Sequence, residues 1–477
     1  MNDRYKDKQW REKMRVKVDV NNMFEEFIGE NHGINPEEIE EMVEEINKAE
    51  QNIKKQYEEG KLGFIDLPDK QKEVVEEIKE YANKNKDKFN NFVILGIGGS
   101  ALGSIALQTA LNESYYNEKE SSPNVYVPDN VDPDNFKSLL ETIDLEKTVF
   151  NVISKSGTTA ETMSLFMIAR KAVEDVVGKN NISEHFIATT SKDSGYLREI
   201  AKKENFKMFY IPDNVVGRFS VLTPVGLVFA AFVGIDIDEL LAGASYMKEI
   251  CSSSNIWENP AYLNGLLQYL AYKKGKVMSV MMPYSNALKD IADWYRQLWA
   301  ESLGKEKNRD GEVVNVGPTP IKALGATDQH SQAQLYMEGP FDKVVNFIEV
   351  LEFDNDIKIP DIYEDIKGVS YLREKSLTEL INTEKKATEL ALTKRERLNN
   401  TIIMPKVNEF TVGQLFYLLE LQTAFVGELF NINAYNQPGV ELGKNYTYGV
   451  FGREGYEEMK EEYNLRPEKK LYKKELI

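Results

Sequence analysis

Val93-Ile-Leu-Gly96-Ile-Gly98-Gly99-Ser100, continuing into Ala101-Leu-Gly-Ser104, is an apolar run, a glycine-rich turn and the opening of a helix. Farther on the chain repeats the arrangement as Val152-Ile-Ser154-Lys155-Ser156-Gly157-Thr158-Thr159-Ala160-Glu161-Thr162. A strand turning sharply into a helix presents backbone N–H groups and a positive helix end to an anion. The first loop alone is weak evidence, because tight β–α connections also use such glycines. Its spacing is not the full dinucleotide fingerprint, and it lacks the Gly-Lys-Ser/Thr of a Walker loop. The second loop is more specific: it places five hydroxyls and an ammonium at a helix mouth. Ser and Thr also crowd helix starts as caps, so capping and anion binding both stand as readings, and the excess of hydroxyls favours the anion.

Outward from these loops, short β-type runs alternate with helical patterns. Phe92–Leu95, Asn124–Val127, Thr148–Ile153, His185–Thr189 and Lys207–Ile211 read as strands, and Ala160–Val177 as the clearest helix between them. Alternation of this kind predicts an α/β fold with a parallel sheet covered on both faces. After a helical stretch around Ile237–Cys251 the pattern returns, with strands expected at Val277–Met282, Val313–Val316, Val344–Leu351 and Thr401–Met404. Helices are expected at Ala261–Lys273, Leu288–Ser302 and Val412–Phe430. Before the first sheet, Pro36–Glu59 reads as a helix capped by Asn35 and ended by Gly60, followed by another at Gln71–Ala82. Residues 354–400 read as a charged, partly helical elaboration, and Tyr456–Ile477 as a charged helix or strap. The domain reading is therefore an N-terminal helical arm (1–74), a first αβα sandwich (75–240), a second (241–430) and a C-terminal segment (431–477).

The chain of 477 residues carries 59 basic and 77 acidic side chains, a formal net charge of −18. That balance argues against nucleic acid and anionic membrane as partners, and it requires an anionic substrate to be held by local donors. With Cys251 alone, no internal disulfide forms, and a small buried thiol is expected. The charged start, MNDRYKDKQWREK, has no apolar signal core, and the longest apolar stretch, Ser220–Ile235, contains Pro224 and reads as a buried helix. A cytoplasmic, soluble protein is expected. Asp129, Asp132 and Asp134 lack calcium-loop spacing and read as turn and capping residues; no histidine or cysteine cluster offers a metal site.

Gly96-Ile-Gly-Gly-Ser100 with Ser154-Lys-Ser-Gly-Thr-Thr159 resembles the sugar-isomerase domain. Gly217-Arg218-Phe-Ser220, Gln297-Leu-Trp-Ala-Glu301-Ser-Leu-Gly304-Lys305, Gln329-His330-Ser-Gln-Ala-Gln334-Leu and Gln437-Pro-Gly439-Val-Glu441-Leu-Gly443-Lys444 narrow the resemblance to the glucose-6-phosphate isomerase family. Together these segments span about residues 92–444 in the family's order. The resemblance implies two sugar-isomerase domains and an aldose–ketose isomerase that needs no cofactor and no metal. It places the proton-shuttling carboxylate on Glu301, ring opening on His330 with Lys444, and stabilisation of the enediolate on Arg218. Ser100, Ser154, Lys155, Ser156, Thr159 and Thr162 match its phosphate cradle, and Gln297 and Gln437 its substrate-contacting glutamines. His32 and His185 read as structural. The family delivers its histidine from a neighbouring subunit, which implies a homodimer with shared active sites. Val216 stands where the family usually has glycine, so the turn presenting Arg218 is expected to differ locally if it needs positive φ. An isomerase that also accepts mannose 6-phosphate, a sugar-phosphate sensor and a dinucleotide-dependent oxidoreductase are the alternatives. The sensor does not need Glu301, His330 and Lys444, and the oxidoreductase leaves the hydroxyl-rich loop unexplained.

Overall fold

The computed structural model describes residues 3–119 and 123–467. Five strands, preceded in the chain by β1 (Lys17–Asp19), form the first sheet: β2 (Asn91–Leu95), β3 (Asn124–Tyr126), β4 (Thr148–Ile153), β5 (Phe186–Ser191) and β6 (Lys207–Ile211). Their order is β3-β2-β4-β5-β6, and every pairing is parallel. β2, β4 and β5 are buried along their whole length; with helices on both faces, they read as continuous apolar runs. The winding reverses between β2 and β4. In an open parallel sheet the carboxyl ends flanking such a reversal form a crevice where ligands bind, and the two glycine loops follow those two strands.

The remaining strands are β7 (Met278–Pro283), β8 (Lys305–Lys307), β9 (Val313–Val316), β10 (Thr319–Lys322), β11 (Lys343–Glu352) and β12 (Asn399–Lys406). The second sheet has the order β1-β12-β11-β7-β10, parallel throughout except for β1, which pairs antiparallel with β12. Among its parallel strands the winding repeats that of the first sheet, again with a reversal beside the first strand.

Three expectations are corrected. Val313–Val316 is a strand but not of this sheet: it pairs with Lys305–Lys307 in a separate two-stranded ribbon. The sheet position belongs to Thr319–Lys322, which pairs with β7 alone. Pro320 disguises that strand in the sequence, and its edge position is what makes the missing N–H tolerable. The arm read as helical contributes Lys17–Asp19 as an edge strand. The long helix expected from Pro36 divides at Met42 into Pro36–Glu41 and Val43–Glu58, its start closed by a capping box between Asn35 and Glu38.

Pro224–Phe232 is the buried helix expected within the apolar stretch, and no helix among the described residues is long and apolar enough to cross a membrane. Glu409–Leu429 runs through the centre of the second unit with nearly all its residues buried. Cys251 is free and buried, its thiol pushed up to about 12 by burial. His185 lies in the core with Nδ1 2.8 Å from the Thr148 carbonyl, and His32 stacks on Phe341 at 4.0 Å. Asp132 caps the helix Pro133–Thr142 by accepting from the Asn135 N–H. Of the tail expectation, Glu457–Asn464 is helical; residues 468–477 lie outside the described residues.

One core residue carries a stability prediction. Both carboxyl oxygens of Glu420 are buried in that central helix without a hydrogen-bond partner among the described residues, and burial holds the group well above the usual carboxylate range. An acid whose folded-state value is raised binds more protons folded than unfolded. Stability is therefore lost as pH climbs from the ordinary carboxylate range towards the raised value. Glu420→Met is expected to flatten that decline and raise stability at pH near 8 by about 1–3 kcal/mol, the cost of burying an unsatisfied polar group. Denaturant melts at several pH values check this; parallel pH dependences for both proteins would refute it.

Candidate active site

The site begins with glycines at the winding reversal. Gly98 has φ +56, and a Cβ there would meet Gln297 Nε2 at 3.0 Å. Gly99 is tighter: its Cβ would lie 2.2 Å from the backbone carbon of Gly217. The loop after β2 thus sits directly against the turn Gly217–Phe219 that carries Arg218. Val216, preceding that turn, has φ −83 and ψ 157. This is ordinary extended backbone, so the valine costs nothing and the departure flagged in the sequence imposes no strain.

The second unit supplies the facing wall through the helix Lys289–Leu303. Asp290, near its start, accepts a 2.5 Å hydrogen bond from Thr109, near the end of the helix Leu102–Leu111. Its later residue Gln297 reaches Gly98, at the other end of Leu102–Leu111, so the two helices run antiparallel. The last turn, carrying Glu301, is thereby brought to the mouth of the first sheet. Gln297 and Glu301 share a face one turn apart, and Gln297 Nε2 donates to Glu301 Oε2 at 2.9 Å.

Arg218 is 2% exposed. Its guanidinium pairs with Glu301 Oε1 at 3.1 Å and donates to Ser302 Oγ (2.8 Å), the Ala434 carbonyl (2.6 Å), the Asn436 carbonyl (3.2 Å) and Gln437 Oε1 (3.2 Å). Burial opposes its charge and Glu301 supports it. One arginine therefore joins the first unit, the helix end that carries the carboxylate, and the segment leading to the C-terminal helix.

The second loop is a ring of hydroxyls. Ser154 Oγ lies 3.2 Å from Thr159 Oγ1 and accepts from the Gly157 N–H at 3.0 Å; Ser156 Oγ lies 2.7 Å from Thr158 Oγ1. Thr159 occupies the N-cap position of the helix Ala160–Val177 but makes no side-chain cap hydrogen bond. The capping reading therefore leaves its hydroxyl unexplained, and the helix's positive end is open to an anion. Thr162 Oγ1 and Gln297 Oε1 are buried without a partner among the described residues, as acceptors and donors awaiting a polar ligand would be. Lys155 is differently engaged: its ammonium donates to the carbonyls of Asp213 (2.7 Å) and Val215 (3.3 Å), and burial lowers its proton affinity. It ties the hydroxyl loop to the segment leading into Arg218.

Ser100 lies in the turn after β2. Among the described residues neither Lys444 nor His330 hydrogen-bonds or ion-pairs with Arg218 or Glu301. Lys444 is exposed on the helix Glu441–Val450, with Nζ 3.2 Å from Glu441 Oε1; Tyr448 of that helix donates to the Thr158 carbonyl at 3.2 Å. His330 is exposed on the turn after β10. The turn is anchored by Gln329, whose Nε2 donates to Tyr284 Oη (2.7 Å), Thr388 Oγ1 (2.8 Å) and the Glu384 carbonyl (3.3 Å). Sequence reasoning did not single out Lys305 or Ser302. Both lie within the quoted Gln297–Lys305 segment, but their roles depend on backbone carbonyls and on Arg218, which no spacing reveals. No group of three or more metal-ligating side chains is gathered among the described residues.

Residues 8–465 match the family model described as phosphoglucose isomerase. The chain belongs to the phosphoglucose isomerase family. Among members and neighbours, the glucose-6-phosphate isomerase of Carboxydothermus hydrogenoformans is 49% identical over 94% of this chain and 97% of its own length. The corresponding protein of Rubrobacter xylanophilus is 41% identical over 89% of this chain and 96% of its own. A hypothetical protein from Thermus thermophilus superposes with a TM-score of 0.83 at 36% identity, covering 92% of this chain and all of that one. The glucose-6-phosphate isomerase of Chlamydia trachomatis superposes at 0.72 with 27% identity, over 83% of this chain and 76% of that one.

Proposed function

We propose that the protein interconverts glucose 6-phosphate and fructose 6-phosphate through a cis-enediol, in glycolysis and gluconeogenesis in the cytoplasm. The observation that carries this reading is the Glu301–Arg218 pair at 3.1 Å, set at the winding reversal beside an uncapped, hydroxyl-lined helix start. Moving a carbonyl between neighbouring carbons needs one group to take a proton from one carbon and return it to the next. Glu301 is that group, oriented by Gln297 and Arg218. The negative charge that develops on the two oxygens is met by the Arg218 guanidinium, already fixed and desolvated. The phosphate is held by Ser154, Ser156, Thr159 and Thr162 with Ser100, while Lys155 adds positive field through the loop it pins. Gln297 and Gln437, the latter already bonded to Arg218, contact the sugar hydroxyls.

Ring opening falls to His330 and Lys444. The exposure of His330 on a rigidly anchored turn supports its delivery to the site of a second copy, giving a homodimer with shared active sites. Lys444 follows Gln437 within one short turn and helix, and the Tyr448–Thr158 bond keeps that helix beside the phosphate loop. The division into arm, two sandwiches and C-terminal segment fits this account, with substrate between the sandwiches. A sensor would have no use for a carboxylate held against a buried arginine.

Coupled turnover of fructose 6-phosphate, with and without chelator, tests the assignment: steady chelator-insensitive turnover is expected, and none from well-folded protein would overturn it. For the phosphate cradle, Ser154→Ala and Thr159→Val are each expected to raise KM about tenfold, the value of one hydrogen bond to a charged group. kcat should change less, and inorganic phosphate should inhibit these variants more weakly. Unchanged KM and inhibition in both would move the phosphate elsewhere.

A further inference from the structure

Lys305, at the start of β8, is 7% exposed, an unusual burial for an ammonium. Its Nζ donates to the carbonyls of Glu301 and Ser302, both at 2.8 Å. Ser302 in turn accepts from Arg218 Nε through its hydroxyl at 2.8 Å. The lysine is held there by the ribbon of β8 and β9, in which Lys305 faces Val316. The next turn is closed by Gly317 at φ +136, where a Cβ would lie 2.7 Å from Gly304 Cα. A lysine on the final carbonyls of a helix is an ordinary C-terminal cap. Here, however, the two carbonyls belong to the residue that carries the base and to the residue that buttresses Arg218.

The charges add a second point. Arg218, from the turn 217–219, and Glu301, from the helix Lys289–Leu303, are the charged groups acting on Lys305. The cluster thus holds two cations against one carboxylate in a chain of net charge −18. Beyond capping the helix, a local positive excess matches an intermediate that acquires negative charge.

We propose that Lys305 is a positioning residue for proton transfer: its ammonium locks the last helical turn beneath Glu301 and supplies the site's excess positive charge. The inference rests on the isomerase reading. Burial, with Arg218 adding to it and Glu301 opposing, brings Lys305 down to about 8. The excess charge is therefore lost as pH rises through that region, and kcat acquires an alkaline limb there.

The test is kcat and KM from about pH 6 to about pH 10 for wild type, Lys305→Met and Lys305→Arg. Lys305→Met is expected to lower kcat roughly tenfold or more, with KM changed less than about threefold and the alkaline limb absent. Lys305→Arg, whose guanidinium does not titrate in this range, should retain most of kcat and carry the limb to higher pH. A merely structural cap would lower the thermal midpoint of Lys305→Met while leaving kcat and the limb as in wild type, which would overturn the proposal. Should Lys305→Met fail to fold, an unshifted limb in Lys305→Arg overturns it equally. Absence of turnover in folded wild type at every pH is a separate result that ends the isomerase reading and this one with it.

Discussion

Glu301→Gln is expected to lower kcat for fructose 6-phosphate by about 10²–10⁴-fold, the usual contribution of a positioned acid–base group. KM should stay close to wild type. The substitution keeps the shape of the side chain and an oxygen able to accept from Arg218, and only the capacity to take up a proton is lost. Arg218 retains Ser302, Ala434, Asn436 and Gln437 as partners, so the variant should fold. Steady-state kinetics with a thermal melt of the same preparation separate the two effects. Activity within a few-fold of wild type would leave the fold and family intact but remove Glu301 from the chemistry.

Arg218→Met should be as severe in rate and worse in stability. The buried guanidinium links three parts of the chain, and deleting it leaves the Glu301 carboxylate without its cation, with Gln297 alone as donor, and takes their Arg218 partner from the Ser302 hydroxyl and the Ala434 and Asn436 carbonyls. Breaking a buried pair from one side costs about 3–5 kcal/mol. Losing a preorganised donor to a developing oxyanion costs about 10²–10³-fold in kcat. Arg218→Lys keeps the charge but lacks the planar fork that reaches Ser302, Gln437 and Ala434 together. It should recover part of the stability and little of the rate. Denaturant unfolding and kcat for both variants check this. A lysine variant at wild-type rate would show that charge alone, without the fixed fork, is what the site uses.

The sequence carried most of the first sheet because its strands are buried on both faces and its loops are chemically unusual. Val93–Ser100 and Val152–Thr162 mark the two strands that flank the winding reversal, and that placement makes the crevice. The second sheet was harder to read. Thr319–Lys322 holds a proline and pairs on one side only, whereas Val313–Val316 looks like a better strand yet serves a ribbon. Lys17–Asp19 is too short for its alternation to show and is recognised only by its pairing with β12. Within the site, the side chains were named by motif. Their relations were not: the approach of Gly99 to Gly217, the Thr109–Asp290 bond that aligns the two helices, and the engagement of Lys155 with backbone carbonyls are contacts between segments far apart in sequence. Nothing in the sequence distinguishes Lys305 from the many surface lysines, because its burial depends on a ribbon that composition does not announce.

The central claim is that Glu301 carries the proton between the two carbons. The direct test follows interconversion in deuterium oxide by NMR, for wild type and for Glu301→Gln. A carboxylate that holds the proton between its removal and return exchanges it in part with solvent. The account therefore predicts deuterium accumulating at carbon 1 of fructose 6-phosphate and carbon 2 of glucose 6-phosphate in wild type, with that exchange lost in the variant. Interconversion over many turnovers with no deuterium at either carbon, or exchange in Glu301→Gln at the wild-type rate, would contradict it.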